Sequence, residues 1–584
     1  MVSYSKDYAL TSSAANLTTS YQYDYTDTGN LKKLTMTSGN ATYTYTPTYD
    51  ALDRAYYGSA VMTTASGSLT NTVTYDFTVG SNSNESLQVS QYTSQFGSNN
   101  VSYNYTYDAN GNITKITLST GAEYRYVYDD IGQLIREDNS ILNRTYVYSY
   151  DDAGNILSKK TYALTAAGID PAPLYSTYSY GYTDSWGDLL TSYRGVSFTY
   201  DEIGNPLTYY NGSSYTFTWE NGRRLKTASV GSNTLSFTYD HDGIRTSKTV
   251  NGVVHNYTVS GSLILTEEWG TNLVVYLYDA NGAPVGMRYR TSSMAEGVFY
   301  TFWFDKNLQG DVVAVYNETG TKVLSYTYDA WGDKTTTVHN SSGSNSYAQY
   351  NAITYRGYYY DAETCLYYLQ ARYYDPIIGR FINADSFVST GQGLIGSNMY
   401  VYCGNNPVVR KDDCGKFWDT VFDVVSLVTS VVDVAANPKD PWAWAGLVGD
   451  VVDLIPFVSG VGETTKIVKN TIRAVDKFGG LSRAKEFGIT SYKALKKALK
   501  GTGLQAHHII EKRLIKHLGI NANDMLSVAV TAAEHQKFTN AWRSVFKYGT
   551  NYSVLTKNDI WKAAQEIYKD FPELLQAARK TLFG

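Results

Sequence analysis

Residues Tyr105–Ile116 read YTYDANGNITKI, and the same short grammar returns through much of the chain. YVYDDIGQLIRE begins at Tyr126, YSYDDAGNILSK at Tyr148 and FTYDEIGNPLTY at Phe198. FTYDHDGIRTSK follows at Phe237, YLYDANGAPVGM at Tyr276 and YTYDAWGDKTTT at Tyr326, with degenerate copies at Tyr180 (YGYTDSWGDLLT) and Phe217 (FTWENGRRLKT). A period of about 20 residues signals a repeat architecture. Alternation sends the two rings of Tyr-x-Tyr to one face of a strand and the intervening Thr or Val to the other. Asp followed by a glycine free to take positive φ supplies a turn. Each unit is therefore a β-hairpin that cannot bury its apolar face alone, and stacked hairpins give one long curling sheet.

These units resemble the YD repeats of the Rhs and teneurin-like family. The resemblance implies that residues 1–353 form an all-β, hollow shell of stacked hairpins, in which each Tyr-Asp is structural. Carbohydrate binding by tyrosine platforms is the alternative reading.

Composition agrees with the β reading. The 584 residues include 56 tyrosines but only 11 prolines, and the formal charge is −5, so no whole-chain basic signature points to nucleic acid. The last hundred or so residues differ in being rich in Lys and Arg, and such local asymmetry marks a nucleic-acid-binding module. Three cysteines, Cys365, Cys403 and Cys414, cannot form a disulfide framework. The N-terminal segment lacks an apolar signal core, so an export address is expected on a longer precursor or another route.

YRGYYYDAETCLYYLQARYYDPIIGRFINADSF and the following GSNMYVYCGNNPVVRKDDCGK, spanning Tyr355–Lys416, closely resemble the Rhs-repeat-associated core. The resemblance implies that 354–415 closes the shell. Many members cleave themselves at its end, and carry-over makes Asp385 the aspartyl residue and Lys416 the residue before the scissile bond. Ser386 stands where the family has Pro, and Asp412-Asp413-Cys414-Gly415-Lys416 lacks the usual Pro and Leu. These departures predict weak or absent self-cleavage. Residues 416–480 are an apolar helical connector with periodic Asp, resembling a pre-toxin linker. A buried helical hairpin is expected, or transient membrane contact by 417–461 once carboxylates are protonated.

Four of the seven histidines (His507, His508, His517 and His535) fall within Leu504–Asn540. Leu481–Lys500 reads as a basic amphipathic helix, Gln505–Ile510 as a strand and Ser527–Val530 as its return. Thr531 and Glu534 form a capping box, so a helix should start at Ala532. This order resembles the ββα-metal, or HNH/AHH-like, nucleases of polymorphic toxins, making 481–584 a small α+β metal-dependent endonuclease domain. By resemblance His508 is the general base, Asn523 orients it, and His507 and His535 bind one divalent ion (Mg, Mn, Zn or Ni). Members commonly place a second histidine four residues after the helix histidine. Here that place is Thr539, and Asn540 is the expected substitute ligand. Lys512, Arg513, Lys516 and Arg543 are expected phosphate contacts, since backbone neutralisation dominates nuclease affinity. His517 reads as a helix-surface residue, and Trp542, Phe546 and Trp561 as core.

The resemblance thus implies an Rhs-type polymorphic toxin whose shell encloses a nuclease, delivered from the cell to cut nucleic acid, DNA before RNA, in a competitor's cytoplasm. Its expected partners are a cognate immunity protein and a secretion apparatus. A surface adhesion or carbohydrate-binding protein with a non-catalytic C-terminus is the alternative.

Overall fold

The computed structural model describes residues 3–11, 16–26, 30–52, 54–79, 85–165, 174–184, 187–261, 263–279, 281–295, 297–386, 395–415, 419–420, 481, 487–547, 552–569 and 571–583. Sixteen strands, β1 (Ser3–Thr11) to β16 (Val196–Ser197), form one sheet in sequence order. Fourteen more, β17 (Thr199–Tyr200) to β30 (Lys334–Val338), form a second sheet in the same way. Paired neighbours run antiparallel, as at Tyr105↔Ile116, so the expected ladder of hairpins is present.

The Asp of each repeat builds its turn. Asp108 Oδ1 accepts from the backbone N–H groups of Asn110 and Asn112 at 2.9 and 2.8 Å, and Gly111 takes a φ of 83°, open to glycine at little cost. The amide after the glycine then bonds back to the Asp. Asn112, Gln133, Asn155 and Asn205 donate to Asp108, Asp129, Asp151 and Asp201 at 2.9, 2.8, 2.9 and 2.8 Å. A β-bulge falls at the tyrosine before the Asp, for example between Thr106 and Tyr107, and a bulge re-aims the side chain beside it. Tyr107, Tyr128, Tyr239 and Tyr278 accordingly hook an earlier strand, donating to Val89, Ile113, Leu225 and Ile264 carbonyls at 2.7, 2.7, 2.8 and 2.7 Å; Tyr328, with no bulge, makes the same bond to Val312 at 2.7 Å.

The two sheets meet through their tyrosine faces. Phe96 stacks on Tyr316 at 4.3 Å, Ser94 donates to Asp305 at 2.7 Å, and Lys159 pairs with Asp329 at 3.0 Å. At these points the two sheets touch directly, through rings and polar pairs. A cavity left between the sheets, lined by Tyr103, Tyr126, Asp311 and Arg356, measures about 300 Å3, small-molecule size. The next block adds a four-stranded sheet, β31 (Tyr359–Asp361), β32 (Leu366–Leu369), β33 (Arg372–Asp375) and β34 (Arg380–Phe381). It locks onto the turns by amide pairs. Asn406 donates to Asn112 at 2.9 Å, Asn405 to Gln133 at 2.8 Å and Asn398 to Asn155 at 2.8 Å. Arg245 and Asp361, both fully buried, pair at 2.6 Å.

Within the expected connector only Asp419–Thr420 is described; it forms β36, pairing β35 (Arg410–Lys411). The expected helical hairpin and membrane contact of 417–461 otherwise lie outside the described residues. No helix among the described residues is long and apolar enough to cross a membrane.

Burial pushes Glu137 up to about 8, with the Asp329 charge adding to it, and pushes Asp305 and Asp375 up to about 6. Such carboxyls stay protonated in the folded chain at pH values where the unfolded chain ionises, so stability falls as pH rises. The thermal midpoint of the shell is expected to decline between about pH 4 and about pH 8, and Glu137→Gln to flatten the upper part of that slope. A midpoint rising across this window would contradict the assignment.

Candidate functional site

The terminal module is a three-stranded antiparallel sheet in which β39 (Leu526–Val530) lies between β37 (Ile489–Ser491) and β38 (Gln505–His508). Among the described residues five α-helices accompany it: α1 (Tyr492–Ala498), α2 (Lys512–Ile515), α3 (Ala532–Val545), α4 (Lys557–Ile567) and α5 (Pro572–Phe583). The long basic helix expected over 481–500 is shorter than read. Ile489 is buried in the sheet against Val528, and the helix starts only at Tyr492, where the Ser491 side chain accepts from Ala494 N–H. α3 starts at Ala532 with both halves of the Thr531–Glu534 capping box formed, as the spacing predicts.

His507 and His508 pair with Val528 and Ser527, and their rings meet different neighbours. His507 is buried, stacked on Phe538 at 5.1 Å and edge-on to His535 at 5.0 Å. Burial, aided by His535 and His508, pushes its pKa down to about 3. His508 stacks on Tyr492 at 3.8 Å, and its Nε2 lies 3.1 Å from the Ala522 carbonyl. A carbonyl only accepts, so Nε2 carries the proton and Nδ1 the lone pair. Burial holds the His508 pKa below the usual imidazole value, with Lys512 and His535 also pulling it down. His535 is likewise lowered by burial, with the Glu511 carboxylate pulling the other way; its Nδ1 lies 3.5 Å from Thr539 Oγ1.

The remaining expected residues separate. Asn523 is exposed, and its backbone carbonyl receives Lys493 N–H at 2.9 Å, while the carbonyl that holds His508 belongs to its neighbour Ala522. Asn540 is exposed and accepts from Gln536 at 2.8 Å, so Thr539 is the residue beside His535. Among the described residues no group of three or more His, Cys, Asp or Glu is placed to hold a metal ion. Lys512, Lys516 and Arg543 are exposed. Arg513 instead braces the fold, bonding to Glu511, Tyr552 and the Phe546 and Trp542 carbonyls. Trp542 is buried core, and the His517 side chain lies outside the described residues. Sequence reasoning missed Tyr492, Ala522 and Tyr568, the last fully buried and hydrogen-bonded to His507. None carries a local motif.

The module rests on hairpin turns of the shell. Ile203 is buried among Phe487, Leu495, Leu499 and Ala529, and Lys497 pairs with Glu202 at the surface. These contacts do not involve the tyrosine face.

At the expected self-cleavage site, the buried Arg372 guanidinium lies 3.0 Å from Asp385 and 3.3 Å from Asp412, and also donates to the Gly415 carbonyl. Asp412 is the second carboxylate that the sequence did not reveal. An aspartyl mechanism needs two carboxyls sharing one proton directly, and here a guanidinium stands between them. Lys416 lies outside the described residues.

A family model described as the teneurin YD-shell matches residues 48–408. The chain belongs to the teneurin YD-shell family. The match ends ahead of the terminal module. This YD-shell chain is 31% identical over 323 residues to the tRNA nuclease WapA of Bacillus subtilis (strain 168), covering 54% of itself and 12% of that protein. It is 28% identical over 348 residues to the double-stranded DNA deaminase toxin A of Burkholderia cenocepacia (strain H111), covering 55% and 22%. The crystal structure of TcdB2-TccC3-TEV superposes with a TM-score of 0.49 at 17% identity, covering 71% of this chain and 23% of that one. The chain thus spans less than a quarter of the length of each.

Two outcomes follow. The purified YD-shell chain should stay one species on denaturing gels after long incubation; a break after Lys416 that disappears in Asp385→Asn would show otherwise. Arg513→Ala should destabilise the module by about 1–3 kcal/mol in denaturant titrations by orphaning the groups it holds.

Proposed function

We propose that this YD-shell chain is part of a polymorphic toxin whose terminal module hydrolyses nucleic-acid phosphodiesters in competing cells. The observation that carries the reading is the state of His508. Its Nε2–H is tied to Ala522, its ring is fixed on Tyr492, and its lowered pKa leaves a neutral imidazole with Nδ1 ready to take a proton. That is what a general base acting on water near neutral pH requires. It lies in the strand–strand–capped-helix frame with His507 and His535 close by.

His507 and His535, both kept neutral by burial, fit a divalent cation as two imidazole donors, with water or substrate oxygens completing its shell. When bound, the cation would stabilise charge developing on the phosphate and leaving oxygen. His508 Nδ1 would take the proton from the attacking water. The exposed Lys512, Lys516 and Arg543 would hold backbone phosphates. The relatives' printed activities, a tRNA nuclease and a double-stranded DNA deaminase toxin, support a nucleic-acid target. DNA is the substrate first expected, with tRNA beside it. Delivery to another cell and protection of the producer by an immunity protein belong to the same proposal.

The full chain and residues 481–584, which carry a hydrophobic core of their own, are to be incubated with plasmid and with tRNA under Mg2+, Mn2+, Zn2+ and Ni2+. Cleavage is expected, lowered about 100-fold or more by His508→Ala. Both nucleic acids surviving intact with every ion would end the nuclease reading.

A further inference from the structure

The Tyr568 hydroxyl sits at the centre of a buried junction. It is 2.5 Å from the Ile509 carbonyl, 3.0 Å from Trp542 Nε1 and 3.4 Å from His507 Nε2. A phenol has one proton to give, a carbonyl can only accept, and an indole N–H can only donate. The Tyr568 proton therefore goes to Ile509, and Trp542 donates to the Tyr568 oxygen. Toward His507 the hydroxyl has only a lone pair left, so His507 must be the donor. His507 and Tyr568 are both buried, so bulk water does not compete for these bonds.

We propose that Tyr568 is the positioning residue of His507. It fixes this imidazole as the Nε2–H tautomer and thereby reserves the Nδ1 lone pair for a divalent cation. Stacking on Phe538 at 5.1 Å holds the ring plane, and the bond to Tyr568 sets the rotation within that plane. A metal-binding histidine commonly donates its other ring N–H to a fixed acceptor, which sets the tautomer and raises ligand basicity. The acceptor here is a phenol at the end of α4, 61 positions from His507. The metal half of this inference rests on the nuclease reading; the tautomer half does not.

The test uses the metal-free full chain labelled with 15N-histidine. Long-range 1H–15N correlation reads the tautomer of each of the seven histidines, and His507→Gln identifies the His507 signals. The Nε2–H form is expected in the unsubstituted chain. In Tyr568→Phe the tautomer should become mixed, and calorimetric affinity for Ni2+ or Zn2+ should fall about 10- to 100-fold. Trp542→Phe removes another bond to the same hydroxyl but spares the His507 contact, so it should keep both tautomer and affinity. His507 protonated at Nδ1 in the unsubstituted chain overturns the proposal, even if the Tyr568→Phe chain fails to fold. So does an unchanged affinity in Tyr568→Phe, or an equal loss in Trp542→Phe. An Nε2–H His507 in a chain that binds no divalent ion supports the tautomer assignment and overturns its metal purpose.

Discussion

The carboxylate of the Tyr-Asp turn is the constraint on which the shell depends. One oxygen gathers two backbone N–H groups and the other holds the amide after the glycine, as Asp108 does for Asn110 and Asn112. This satisfies turn donors that burial would otherwise leave costly, and it fixes where the return strand begins. The bulge that precedes it throws the tyrosine hydroxyl onto an earlier strand. Hairpin closure, twist and repeat-to-repeat attachment thus come from one five-residue polar knot and the tyrosine before it. The aromatic face then needs only to be covered, and facing sheets cover it.

Much of this was legible because it is local. Tyr-x-Tyr-Asp-x-x-Gly names the strand, the turn and the buried face within seven residues. The contacts between sheets and core were not legible, because nothing near Gln133 announces Asn405, 272 positions away. The expectation of a hollow interior came from the family resemblance. Which strands touch across it, as where Phe96 reaches Tyr316, has no local signature. In the same way, the second acidic partner of Asp385 is Asp412, reached only through Arg372.

The terminal module divides along the same line. The Thr531–Glu534 capping box set the start of α3 from sequence, since both partners lie within one turn of helix. The adjacent histidines marked a strand end. What holds them came from elsewhere in the chain: a backbone carbonyl at Ala522, an aromatic ring at Tyr492 and a phenol at Tyr568. A backbone acceptor has no residue signature, which is why the neighbouring Asn523 attracted the orienting role. Arg513 looked like a phosphate contact because cationic side chains on short helices usually are solvent-facing. Its guanidinium instead closes α2 against the end of α3.

The amide pairs between Asn406, Asn405 and Asn398 and three successive turns have a consequence for how such a chain can change length. At those turns the residue after the glycine is Asn112, Gln133 or Asn155, whereas in later repeats it is Ile244, Ala283 or Asp333. The three turns paired by closing-block amides carry an amide there, whereas the block reaches later turns through tyrosine hydroxyls, as Tyr367 does at Gly332 and Tyr374 at Trp331. A hairpin inserted or deleted between the first and third docked turns would slide every later amide past its partner, as a dropped tooth does on a key. Within that span, the repeats are counted.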